Sequence, residues 1–121
     1  MKLKHVFLLT AIAVLSYAVG LLIIPATVNS WHGIGTDPST LLMSRFFGVA
    51  LLSTGLPAWL ARDSEESKAR DALTLGLLLS FIVGLVVAVQ ATLSGQMNAL
   101  GWLPAALYLL LIIGFGYFRF R

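Results

Sequence analysis

Four apolar stretches, each 17 to 22 residues long and almost free of charge, dominate this sequence. Val6 to Ile24, Ala72 to Leu93 and Trp102 to Phe118 contain no charged side chain, and Thr40 to Leu60 contains one, Arg45. A helix needs about 20 apolar residues to cross the hydrocarbon core of a bilayer. Lipid offers no partner for backbone N–H and C=O groups, so only helices and closed barrels can span it. The runs Leu77-Leu78-Leu79 and Leu109-Leu110-Leu111 break the alternation that barrel strands require. The expected fold is therefore an all-α membrane protein: one domain, residues 1–121, forming a four-transmembrane-helix bundle. Composition agrees, because 59 % of the residues are hydrophobic and only 11 % are charged. A soluble globule of this size would lack the polar side chains to cover itself.

Basic residues set the expected orientation. Lys2 and Lys4 precede the first stretch, Arg62, Lys68 and Arg70 separate the second from the third, and Arg119 and Arg121 follow the fourth. The loops Pro25 to Ser39 and Ser94 to Gly101 contain no basic residue. Positive charge is retained on the cytoplasmic side, so both termini are expected in the cytoplasm, as for a multi-pass protein of the bacterial inner membrane. Lys2 and Lys4 before an apolar run resemble a signal peptide, but the run continues through Val19 to Ile24, longer than a signal core needs. It reads as a true span. Trp31, Trp59 and Trp102 fall at or just beyond span ends, where interfacial anchors belong. Eight basic residues spread along a greasy chain form no nucleic-acid face.

Local signals mark the boundaries. Asp37-Pro38 reads as a helix N-cap followed by proline at the first helical position. Asp63 with Glu66 reads as a capping box, which would start the third long helix near Ser64 and pair Glu66 with Arg70 on an exposed helical face. Gly95 reads as a C-terminal cap. In the third span Ala72, Gly76, Ser80, Gly84, Ala88 and Thr92 recur every four residues, an apparent ridge of small side chains for helix packing. That ridge would pack the helices of one chain, or serve a homo-oligomer or another membrane subunit. Ala50, Thr54 and Ala58, with Gly48 and Gly55 beside them, form a shorter small row in the second span.

Chemistry-bearing residues gather in the outer half. Arg45 is the one ionisable group within a span, about 7–8 Å from its outer end at 1.5 Å per residue. Asn29, His32 and Asp37 belong to the first outer loop, Gln90 lies near the outer end of the third span, and Tyr17 and Tyr108 lie deeper. The candidate site combines Arg45 as cation, Gln90 and Tyr108 as neutral donors, and Trp31 and Trp102 as walls. Asp37 is an alternative partner for Arg45. Such a pocket suits an anionic headgroup, a carboxylate or a quinone carbonyl. His32 beside glycines reads as a solvated histidine, and Asn29 as a turn residue. The inner halves offer only Thr10, Ser53, Thr54, Thr74 and Ser80, which can bond their own helix backbones. There is no cysteine, no paired carboxylate within a span, no metal-ligand spacing and no row of intramembrane acids. The expectation is a non-enzymatic protein, an accessory subunit or a lipid- or quinone-binding bundle. A quinone-linked redox subunit and an oligomeric exporter or channel are the alternatives.

Three phrases carry a family likeness: Pro25-Ala26 closing the first span, Leu41-Leu42-Met43-Ser44-Arg45-Phe46-Phe47-Gly48 opening the second, and Asn98-Ala99-Leu100-Gly101-Trp102 before the fourth. With the four-span layout, they resemble small bacterial inner-membrane proteins of the DoxX-like group. The resemblance implies a four-helix bundle and, in some relatives, quinone-linked sulfur oxidation or complexes handling thiol and oxidative stress. The absence of cysteine leaves no residue for a thiol-based role. If the family's second-span arginine marks a site, Arg45 is the matching position.

Overall fold

A computed structural model describes residues 2–120. Helix α1 covers Leu3–Ile23, α2 Pro25–Trp31, α3 Pro38–Ala61 and α4 Lys68–Leu93; a 3-10 turn at Ala99–Gly101 leads into α5, Trp102–Phe120. Among the described residues there is no strand. Four segments, Leu3–Ile23, Pro38–Ala61, Lys68–Leu93 and Ala99–Phe120, are long and apolar enough to cross a membrane. The chain is a multi-pass, all-helical membrane protein.

Most expected boundaries hold within two or three residues. Asp37 caps α3, accepting a hydrogen bond from the Thr40 N–H, with Pro38 at the first position. Gly95 follows the end of α4 at φ +84°, a left-handed conformation that glycine adopts without strain. The start of α4 differs from expectation. It begins at Lys68, capped by the Ser67 hydroxyl, which accepts from the Arg70 N–H. Asp63 is no cap because it is drawn to Lys4, at 3.4 Å, and Arg62, at 3.7 Å. Glu66 and Arg70 do approach, at 4.0 Å, but across the helix start rather than along an exposed helical face. The first loop also differs, since Pro25–Trp31 is helical. Ile24, at φ −128° and ψ 57°, breaks α1, and Pro25 supplies a fixed φ for a new first turn.

The long helices pack in the order α3, α1, α5, α4. Lipid gives apolar side chains no reason to leave it, so close backbone approach decides where helices touch. Against α1, α3 presents Gly48 and Gly55: a Cβ added at Gly48 would lie 3.3 Å from the Ala18 carbonyl oxygen, and one at Gly55 2.6 Å from Leu15. The buried centre lies nearer the end that carries the described chain termini, where Val6, Phe7 and Ala11 of α1 meet Leu77 and Phe81 of α4 and Phe115 of α5. Phe7 and Phe115 pack edge to face with ring centres 5.3 Å apart. Thr10, Ser53, Thr54 and Thr74 bond the carbonyl four residues back, as expected.

The small-residue ridge of α4 is only partly used. Gly84 lies beneath Tyr108, Ala88 is buried, and the Thr92 side chain abuts Gly101. Gly76 and Ser80 are exposed, and nothing lies within 4 Å of a Cβ built at Gly76. Positions four apart advance about 40° around a helix of 3.6 residues per turn. The row therefore winds away from α5 before it reaches the start of α4.

Candidate functional site

The two ends of the bundle are chemically distinct. Lys2, Lys4, Arg62, Arg70 and Phe118 meet at one, the basic end. At the other, the loop end, α2 folds back and is tied to the α4–α5 connection. Asn98 donates from its backbone N–H to the His32 carbonyl, at 2.9 Å, and from its side chain to the Trp31 carbonyl, at 3.0 Å.

The fold-back buries two polar side chains that local sequence gave no reason to bury. Asn29 is 2 % exposed and His32 is 4 % exposed. Asn29 Nδ2 donates to the Ser44 hydroxyl, at 2.8 Å, and to the Gly35 carbonyl, at 3.2 Å, tying α2 to α3 and to the loop between them. His32 Nδ1 lies 2.9 Å from the Val28 carbonyl and Nε2 lies 3.0 Å from the Tyr17 hydroxyl. A carbonyl only accepts, so Nδ1 carries the hydrogen. In the neutral imidazole Nε2 then accepts, and the Tyr17 hydroxyl donates to it. The Tyr17 oxygen keeps lone-pair capacity for a further donor.

Tyr17 stands between two spaces. On one side, Phe47, Leu51, Pro104 and Tyr108 help enclose a cavity of about 60 Å³ among α1, α3 and α5. That volume admits a few water molecules and no larger ligand. Tyr108 crosses Gly84, where an added Cβ would come within 2.7 Å of its ring. Its hydroxyl has no hydrogen-bond partner among the described residues. On the other side of Tyr17 is a groove of about 420 Å³ between α1, α2 and the start of α5. Val19, Gly20, Leu100 and Leu103 give it apolar walls, His32 and Tyr17 its polar patch, and Trp31 its exposed lip. The volume falls within the usual range for a small-molecule pocket.

The structure brings Trp31 to this groove and Tyr108 to the adjoining cavity, but it does not gather the rest of the expected constellation. Arg45 is exposed on α3, lines neither space, and has no ion pair or hydrogen bond among the described residues. Gln90 is exposed on a shallow surface formed by α4 alone. Trp102 is 47 % exposed at the start of α5. Asp37 is occupied by Thr40, whose hydroxyl donates to its carboxylate at 2.6 Å. That bond, reinforced by the Thr40 N–H, holds the Asp37 carboxyl below the usual carboxylate range. The separation follows from the packing order, because α1 and α5 stand between α3 and α4. In place of the expected arginine-centred pocket the structure has a histidine–tyrosine pair. A hint was present in the sequence: with Pro25 restarting the helix, His32 falls at its end, one turn beyond Val28. No protein family matches this chain, and no curated protein or solved structure matches it either.

Proposed function

We propose that this is a non-enzymatic bacterial inner-membrane protein, with both termini cytoplasmic, that holds the head of a membrane-soluble amphiphile, a lipid or a quinone, in its outer half. The site is the groove between α1, α2 and α5. The observation that carries the proposal is the pairing of buried His32 with half-buried Tyr17 at the wall of an otherwise apolar groove. An apolar space with one well-held polar pair suits a molecule with a long hydrocarbon body and a single oxygen function. The Tyr17 oxygen would accept from a ligand hydroxyl. Arg45, on the lipid-exposed surface, would reach by its long side chain toward outer headgroups. The basic end faces the cytoplasm on this reading because retained positive charge does. Kinship with the DoxX-like group belongs to the same proposal and rests on the four-span layout and Arg45-Phe46-Phe47-Gly48.

The test is fluorescence of Trp31 in a protein carrying Trp59→Phe and Trp102→Phe, titrated with a short-chain benzoquinone and with its quinol in detergent micelles. Saturable quenching by the quinol is expected, weakened at least fivefold by Tyr17→Phe and by the groove-filling Leu103→Trp read through retained quinol; the quinone, with no hydroxyl to donate to the Tyr17 oxygen, should bind more weakly. Linear quenching, the same as in a protein that keeps only Trp59, would mean that the probe simply partitions into the micelle and would overturn the proposal.

A further inference from the structure

The basic end contains a second pocket, independent of the groove. It measures about 380 Å³, and Lys2, Lys4, Arg62 and Arg70 line it with Asp63 as the one carboxylate among the lining residues. The aromatic rings of Phe7 and Phe118 also line it, and Phe7 belongs to the buried centre of the bundle. Cations thus converge beside apolar side chains at the starts of α1 and α4 and the ends of α3 and α5.

Among the described residues, carboxylates match these cations only in part. Asp63 serves both Lys4 and Arg62, and its side chain is 63 % exposed. Lys2 has no ion pair among the described residues. Arg70 is the most enclosed of the paired cations, with its side chain 20 % exposed. One terminal nitrogen donates to the Ser64 carbonyl, at 3.0 Å, and the other lies 4.0 Å from an almost fully exposed Glu66 carboxylate. Its Nε–H is buried and has no acceptor among the described residues. A buried donor left unmatched is costly, and a charged one more so. The terminal nitrogens of Arg70, beside two lysines and a second guanidinium in the pocket lining, offer a set of charged donors of the kind that phosphate oxygens satisfy.

We propose that this pocket binds a phosphate group, presented either by an anionic lipid headgroup or as free phosphate. Arg70 is the central donor, and Lys2, Lys4 and Arg62 neutralise the remaining charge. The neighbouring apolar side chains accommodate the first carbons of a lipid when the phosphate carries one. Basic pockets between membrane helices recognise acidic headgroups by this combination of charge and apolar contact.

Arg62 stacks on the Trp59 ring, with its guanidinium carbon 3.8 Å from the ring centre. A ligand that draws Arg62 inward changes that stack, so Trp59 reports binding. The experiment uses the full chain with Trp31→Phe and Trp102→Phe. It is reconstituted in phosphatidylcholine bilayers with or without 20 mol % phosphatidic acid, and separately titrated in neutral detergent with inorganic phosphate. A saturable change in Trp59 emission is expected in at least one arm. Response to phosphatidic acid alone assigns the lipid, and response to millimolar phosphate in detergent assigns the free anion. Arg70→Gln should weaken the response at least fivefold, while Arg45→Gln, with its charge at the other end, should leave it unchanged. Lys2→Gln removes a cation with no ion pair among the described residues and should weaken binding about two- to threefold even if Arg70→Gln fails to fold. Silence of Trp59 in both arms, or equal effects of Arg45→Gln and Lys2→Gln, would overturn the proposal.

Discussion

At the scale of single residues, the loop end depends on polar side chains that fold-back removes from solvent. Asn29 uses both of its side-chain hydrogens, on Ser44 and on Gly35. Asn29→Ala would remove both bonds, which tie α2 to half-buried Ser44 and to the exposed backbone of Gly35. Each such hydrogen bond contributes about 0.5–1.5 kcal/mol. The expected result is a clear fall in the thermal midpoint in detergent, followed by circular dichroism, with no comparable fall for the exposed neighbour Thr27→Ala. Equal midpoints for the two variants would show that the α2 attachment contributes nothing to stability. The same residues mark where sequence patterns stop being informative. Asn29 and His32 lie in a loop-like stretch rich in glycine, and the groups that bury them come from elsewhere. Tyr17 is fifteen residues before His32, and Ser44 is fifteen after Asn29. No local periodicity encodes such contacts. They exist because Ile24 ends one helix and Pro25 begins another in a new direction.

At the scale of helices, the spans were legible because lipid imposes length and apolarity on each of them separately. Which faces touch was less legible. Gly48 and Gly55 do sit at the α1–α3 contact, but the row of small residues along α4 meets α5 only from Gly84 onward. Spacing identifies a row, while the twist of the helix decides how much of it a straight neighbour reaches. The consequence is a paired prediction. Gly55→Leu forces a side chain into the place of Leu15, whose Cδ2 lies 2.6 Å from an ideal Cβ, and should destabilise the bundle by about 1–3 kcal/mol, the usual cost of overpacking. Gly76→Leu adds the same atoms where nothing lies within 4 Å and should be neutral. Thermal denaturation of both variants in one detergent checks this. A large loss for Gly76→Leu would mean that the exposed part of the ridge is covered by something other than lipid.

At the scale of the whole molecule, two unlike ends are joined by a chain of helices in which α1 and α5 hold α3 and α4 apart. The arginine-centred pocket expected from the sequence required α3 and α4 to approach each other. Their spacing in the chain gave no information against that, because packing order among four spans is a property of all of them together. What the arrangement leaves is an apolar groove with a histidine–tyrosine pair at one end and a cation-rich pocket at the other. Their biological meaning depends on which end meets the cytoplasm. Charge argues for the basic end, since cations near span ends resist translocation. The chain contains no cysteine, so single cysteines can be introduced without removing any. Thr36→Cys places a thiol at the exposed loop end and Ser64→Cys places one at the exposed basic end. In intact cells whose outer membrane has been made permeable, a membrane-impermeant maleimide should label Thr36→Cys directly. Ser64→Cys should react only after the inner membrane is opened. The reverse pattern would turn the molecule over, placing the groove in the cytoplasmic leaflet and the cationic pocket outside.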